Sequence, residues 1–225
     1  MKTAILVDGG FYRRRAASVW GEKSPSDRAD ELVDYCLRHL SAYGPRKDTL
    51  YRIFYYDCPP YGENVYHPLL KKDVFLGKTD LFKWMNSFIE ELKKKRKLAL
   101  RLGTLSAPSI RYDLKYTSLK KLLAESDEEK GFDLSSLTED DFRLNIVQKG
   151  VDMRIGVDIA SLSFKNQVTR IVLISDDSDF VPAAKLARRE GIDFILDPMW
   201  NHVNNELFEH IDGLKSCFKK PQKKD

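Results

Sequence analysis

Cysteine is scarce and unpatterned. Cys36, Cys58 and Cys217 are the only three in 225 residues and share no CxxC spacing, which excludes a disulfide-stapled scaffold and fits a reduced, cytoplasmic protein. Histidine is equally sparse. His39, His67, His202 and His210 show no metal-ligand spacing, so they read as surface or packing residues and zinc is disfavoured. No apolar run reaches the roughly 18 residues that a membrane span needs, and Ala4 to Val7 is too short for a signal-peptide core. The expectation is a soluble intracellular chain with no membrane partner. A strong excess of charge is also missing, since the formal net charge is +4; this permits a polyanionic partner without demanding one. No internal repeat is present, and self-association into a homo-oligomer is left open.

What is there is an ordinary globular composition, 42% apolar, in a chain long enough for one sizeable core. Thr3 to Asp8 reads as a first strand. Ser26-Asp27 caps an amphipathic helix through Ala29, Leu32, Val33, Cys36, Leu37 and Leu40 that stops near Tyr43-Gly44-Pro45. Tyr51 to Asp57 is a second strand. This β, α, β order with a helical crossover predicts an α/β fold with a mainly parallel sheet. A helix is expected over about 79–97 and a strand over 98–105. The basic run Lys93 to Lys97 complements that helix's C-terminus more readily than it contacts nucleic acid. Residues 106–148 form a less regular insertion, with a mobile loop over 125–137 and a helix start at Thr138-Glu139-Asp140-Asp141. Alternation resumes with a helix from Asp152 to about Asn166, a strand from Thr169 to Ser175, a helix from Asp179 to Arg189, a strand from Ile192 to Leu196 and a short helix near 204–211. One domain over 1–214 and a basic tail over 215–225 result.

The informative residues are acidic. Asp8 and Asp177 leave the carboxyl ends of two buried strands, the edge at which open parallel sheets bind ligands. At 100° per residue, Asp152, Ile155, Asp158, Ile159 and Leu162 share one arc of a helix, so two carboxylates flank its apolar stripe. Clustered carboxylates repel one another unless a cation neutralises them, which points to a hard, oxygen-liking metal. Several acids also have a plainer account. Asp152 could be a helix N-cap, Asp177 and Asp179 could cap the helix that follows them, and Asp57 before Cys58-Pro59-Pro60 suits a turn.

Taken together, Val7-Asp8-Gly9-Gly10, Lys149-Gly150-Val151-Asp152 with Asp158, and Ser175-Asp176-Asp177-Ser178-Asp179-Phe180-Val181-Pro182 resemble the three signature segments of the NYN domain. The resemblance is to its bacterial LabA-like branch, a relative of PIN-domain nucleases. Arg52 to Pro60 and Leu100-Arg101-Leu102-Gly103 are similar to further segments of that branch, so the likeness spans nearly residues 1–214. It implies a PIN-like three-layer α/β/α sandwich and a Mg²⁺- or Mn²⁺-dependent nuclease acting on RNA. Asp8, Asp152, Asp177 and Asp179 match the metal-binding, catalytic acids, and Asp158 matches the second acid of the middle motif. Two positions depart from the pattern: Phe11 stands where Asn is common, and Asp176 where Gly is common.

Phosphodiester hydrolysis needs an activated water and neutralised charge in the transition state, both of which carboxylate-held Mg²⁺ supplies. Ser175 adds a hydroxyl beside the acids. Arg13 and Arg14, shortly after Asp8, could hold phosphates flanking the scissile bond or form a solvated basic turn. Lys149 could contact substrate or neutralise the acidic cluster. Tyr12 and Trp20 suit packing more than base stacking. Phe11 and Asp176 motivate an alternative, a catalytically silent RNA-binding or regulatory module; a small-molecule phosphoester hydrolase using the same edge is a third reading.

Overall fold

The computed structural model describes residues 1–106, 109–125 and 132–218. They fall into two compact units. The first takes Met1–Pro59, Trp84–Thr104 and Gly150–Asp225, the second Pro60–Lys83 and Leu105–Lys149. The inserted unit is therefore wider than residues 106–148, because 60–83 belong to it as well.

The first unit is built from β1 (Lys2–Asp8), α1 (Gly9–Trp20), α2 (Pro25–His39), β2 (Thr49–Asp57), α3 (Asp80–Lys93, in this unit from Trp84), β3 (Leu98–Leu102), α4 (Val151–Phe164), β4 (Arg170–Ile174), α5 (Val181–Arg189), β5 (Asp193–Asp197), α6 (Asn205–Phe208) and β6 (Gly213–Leu214). Its six strands lie in the order β6-β5-β4-β1-β2-β3, every neighbouring pair parallel. Ala4 to Val7 and Ile171 to Ile174 are fully buried, as central strands covered on both faces require. Alternate residues Ile5, Val7, Ile53, Tyr55, Val172, Ile174 and Ile195 pack with α1, α2 and with Phe88 and Leu92 of α3. The opposite face meets α4 through Ile155, Ile159 and Leu162, and α5 through Ala184 and Ala187. Helices on both faces of a parallel sheet give the three-layer α/β/α sandwich that the sequence predicts.

The chain winds outward from β1 in both directions, through β2 and β3 on one side and β4, β5 and β6 on the other. The crevice between β1 and β4 is thus the topological switch point. Register places Val7 opposite Ile174, so Asp8, the last residue of β1, and Ser175, the first after β4, stand at the same edge. Gly9 is obligatory there: a Cβ would stand 2.5 Å from the Tyr55 ring and 2.6 Å from the Tyr56 carbonyl oxygen, and its absence lets α1 begin directly at the strand end.

Several local expectations shift. Ser24, not Ser26, caps α2, accepting from Asp27 N–H at 3.2 Å, with Pro25 in the first turn. Four of the five basic residues have partners within the chain: Lys93 pairs with Glu90, Lys94 with Glu91 and Lys95 with Asp30, and Lys97 donates to the Leu50 carbonyl. Tyr12 is buried and Trp20 packs edge-on against Tyr35 and Trp200. In the second unit, Asn64–His67 pairs antiparallel with Lys72–Phe75, and Arg111–Leu114 with Phe142–Asn145, around Val65, Leu76 and Ile110. Thr138 and Asp141 form a capping box around one short 3-10 turn rather than opening a helix. Of the loop expected over 125–137, residues 126–131 lie outside the described residues, as do 219–225 of the basic tail. Among the described residues, no helix is long and apolar enough to cross a membrane.

Candidate active site at the sheet switch point

Asp8 does two things at once. Its Oδ1 accepts the Phe11 N–H at 3.0 Å, capping α1, and its Oδ2 accepts from Ser175 Oγ at 3.4 Å. Burial pushes its carboxyl up to about 6; the Phe11 bond opposes this, the Asp152 charge adds to it, and Arg14 counters it. Asp152 is raised as well, first by burial and then by the charges of Asp177 and Asp179. Asp152 therefore links the two sides of the edge: its charge acts on Asp8, and the charges of Asp177 and Asp179 act on it, although these acids come from a strand end, a helix and a turn.

The plainer account of Asp152 does not hold. Gly150, in the left-handed region at φ 78°, occupies the N-cap of α4, and Asp152 sits inside the first turn. No capping bond explains its position. Asp177 does cap: it accepts from Asp179 N–H at 2.9 Å, starting the 3-10 turn Ser178–Phe180 that leads into α5. Its own N–H donates to Ser175 Oγ at 3.3 Å. Ser175 is fully buried, so its hydroxyl links Asp8 to the Asp177 turn and is not a surface for substrate.

Other sequence-based assignments change with their partners. Arg13 directs Nε and Nη2 at Asp57 at 2.9 and 3.0 Å, and Asp57 also accepts from Tyr55 OH at 2.9 Å and Cys58 N–H at 2.8 Å. A bidentate buried pair leaves this guanidinium little to offer a phosphate. Asp158, expected among the metal-binding acids, accepts instead from Tyr56 OH at 2.8 Å and Arg101 Nε at 3.0 Å. Lys149 is exposed in the short strand Gln148–Lys149 of the second unit.

An open pocket of about 700 Å³ lies at this edge, lined by Asp8, Phe11, Arg14, Asp176, Asp177, Ser178, His202, Asn204 and Asn205. Arg14 is exposed there. The stretch from His202 to Asn205 carries no signal in the sequence that would single it out. His39 and His67 are packing residues: the first is buried against Asp197, the second against Tyr112 and Phe142. Among the described residues, no three His, Cys, Asp or Glu side chains converge closely enough to enclose a metal ion. The donors nonetheless fit a hard divalent cation in kind, being carboxylate oxygens whose mutual repulsion is only partly compensated.

The NYN domain profile matches residues 62–210. The chain belongs to the NYN domain family. NYN domains form part of the PIN-like nuclease superfamily, whose members generally use divalent metals. The matched span holds Asp152, Asp158, Asp177 and Asp179 and begins after Asp8. Among solved structures, a protein of unknown function from Vibrio parahaemolyticus is similar at 10% identity, over 95% of this chain and 90% of that one, with a TM-score of 0.45. Comparison with curated proteins finds no match. In this NYN domain the acidic edge joins strand, helix and turn at the switch point.

Proposed function

We propose that this NYN domain, of the LabA-like type, is a Mg²⁺- or Mn²⁺-dependent ribonuclease. The observation that supports it most is Asp8, a carboxyl raised to about 6 at the switch point, coupled to Asp152 and facing an open pocket shared with Asp177 and Arg14. Among the described residues no lysine or arginine forms an ion pair with Asp8, Asp152, Asp177 or Asp179, and Arg14 only partly counters the charge at Asp8, which leaves charge for a cation to neutralise. Asp8, Asp152 and Asp177, which do not enclose an ion in the arrangement seen, would engage the metal directly or through its water ligands, with Asp179 completing the set. When bound, the metal activates water and stabilises negative charge on the phosphoryl oxygens. Asp8 and Asp177 are fixed by their caps and by Ser175, so their oxygens are oriented before substrate arrives. Arg14 holds a flanking phosphate. Asp158 supports α4 through Tyr56 and Arg101. Cys36, Cys58 and Cys217 stand outside any disulfide, which suits a reducing cytoplasm.

The second reading, a silent RNA-binding or regulatory module, is favoured by one observation: Asp176, where the family commonly has Gly, is engaged by Asn201 Nδ2 at 2.9 Å. Incubation of pure protein with labelled RNA, with and without Mg²⁺ or Mn²⁺ and beside Asp8→Asn, separates the two. Metal-dependent cleavage lost in Asp8→Asn supports the nuclease, and RNA binding without cleavage supports the module.

A further inference from the structure

Beyond the acidic edge, the chain leaves β5 through a turn held in an unfavourable conformation. Met199 at φ 45° and Trp200 at φ 62° are consecutive non-glycine residues in the left-handed region, a conformation that persists only where the surroundings enforce it. Surrounding bonds fix them. Buried Asp197 accepts from Tyr35 OH at 2.6 Å, His39 Nε2 at 2.8 Å, Met199 N–H at 2.8 Å and Ser216 Oγ at 2.7 Å. Arg15 Nε donates to the Met199 carbonyl at 2.7 Å, and Trp200 N–H donates to Ser216 Oγ at 3.1 Å. Leaving a strand does not require so much support.

The consequence of the turn is where it sends the next residues. Asn201 is tied to Asp176 at 2.9 Å, and His202, Asn204 and Asn205 line the pocket that Asp8, Arg14 and Asp177 also line. Asn204 Oδ1 is occupied in capping α6, accepting from Glu206 N–H at 2.9 Å, whereas His202 and Asn205 are exposed. Their chemistry differs from that of the rest of the pocket. A phosphate only accepts hydrogen bonds and is met by Arg14, while a carboxamide offers a donor and an acceptor side by side, as a base edge does, and an imidazole adds a flat ring for stacking. A pocket of about 700 Å³ has the size of a site for one small ligand, not for a duplex.

We propose that His202 and Asn205 form a nucleobase-recognition wall, reading a single-stranded RNA nucleotide next to the scissile phosphate. The inference rests on the ribonuclease reading above. In the Asp8→Asn background, which keeps the helix cap, binding of four labelled homopolymer RNAs is measured by fluorescence anisotropy at several salt concentrations. His202→Ala and Asn205→Ala should each weaken the preferred homopolymer about fivefold or more and narrow the differences among the four. Their salt slope and melting temperature should stay parental, and His202→Gln should recover part of the preference. Arg14→Ala should instead weaken all four alike and lower the salt slope. If the background binds RNA but shows no base preference, or if both alanine variants keep the parental preference, or if they lose affinity uniformly with a reduced slope, the wall is wrong and the ribonuclease reading stands. If the background binds no RNA and the parent in Mg²⁺ or Mn²⁺ neither binds nor cleaves any of the four, both fall.

Discussion

Arg13 and Asp57 face each other as a fork, Nε to Oδ2 at 2.9 Å and Nη2 to Oδ1 at 3.0 Å, with Asp57 almost wholly buried. The pair joins α1 to the end of β2 beneath the acidic edge. The next residue, Arg14, is exposed and lines the pocket. Two adjacent arginines in one basic run therefore lie in opposite surroundings, and substitution separates them.

Arg13→Ala leaves a buried carboxylate without its cation, which costs about 3–5 kcal/mol. Arg13→Lys should recover only part, because an ammonium cannot reproduce the fork. Arg14→Ala should leave the melting curve in place while weakening RNA binding and lowering its salt slope by about one. Chemical denaturation and salt-dependent binding on the same variants check this; equal stability of both alanine variants would refute the division of labour.

That division marks the limit of what sequence periodicity makes legible. The parallel sheet follows from the runs Ala4–Val7 and Ile171–Ile174 and the helical crossovers between strands, and the acids at strand ends follow from the same pattern. Pairing partners do not. Arg13 and Asp57 are 44 positions apart and Arg101 and Asp158 57, so nothing local in the chain says that Arg13 and Asp158 are already engaged. The 198–205 turn is hidden for a different reason: its left-handed Met199 and Trp200 carry no glycine or asparagine signal, and the bonds that enforce them come from Arg15, Tyr35, His39 and Ser216. Asp152 shows the reverse case, since left-handed Gly150 takes the cap position that an acidic residue at a helix start suggests for itself.

Gly9 tests how closely α1 must approach the sheet. A Cβ there meets the Tyr56 backbone oxygen at 2.6 Å as well as the Tyr55 ring. The ring's tip could shift but the backbone cannot do so cheaply, so Gly9→Ala should destabilise by about 1–3 kcal/mol and displace Asp8. A variant as stable as the parent in urea would show that the helix start has room to move.

The raised carboxyl of Asp8 makes metal-free stability depend on pH. Below about pH 3 the folded and unfolded chains both hold this proton and Asp8 imposes no penalty. As pH rises the unfolded chain ionises near its ordinary value of 3.8, while the folded carboxyl keeps its proton until about 6. Stability is therefore lost across that window, by at most about 3 kcal/mol, and the loss is complete above it. Asp8→Asn does not titrate, so its melting temperature relative to the parent should climb between pH 4 and 6 and then level. A constant gap over that range would mean that Asp8 is not desolvated.

Divalent metal should reverse the penalty. Millimolar Mg²⁺ or Mn²⁺ should raise the parent's melting temperature at neutral pH by several degrees, at about 2–4 °C per kcal/mol for a chain of this size. A chelator should remove the gain, and Asp8→Asn or Asp177→Asn should abolish it. Asp158→Asn should keep it, because Tyr56 and Arg101 already satisfy that carboxylate. An unchanged parental melting temperature would count against the metal site, and a gain lost in Asp158→Asn would return Asp158 to the ligand set.

Catalysis sets the strictest test. Asn at position 8 or 177 keeps the capping oxygen that Phe11 or Asp179 N–H requires, so each variant should fold while losing one charge from the acidic edge. Loss of a group that stabilises transition-state charge lowers rates by about 10²–10³, and RNA cleavage by Asp8→Asn and Asp177→Asn should fall by at least that much in Mg²⁺ and in Mn²⁺. Asp152→Asn should fall comparably, since nothing in α4 requires its carboxylate as a cap. Asp158→Asn should lose stability more than rate, as expected of a residue that acts through Tyr56 and Arg101. Single-turnover cleavage of one labelled RNA by all four purified variants decides the matter. Parental rates in Asp8→Asn and Asp177→Asn would move the activity to another site or another protein, and a loss confined to Asp158→Asn would place the metal further along α4 than the switch point.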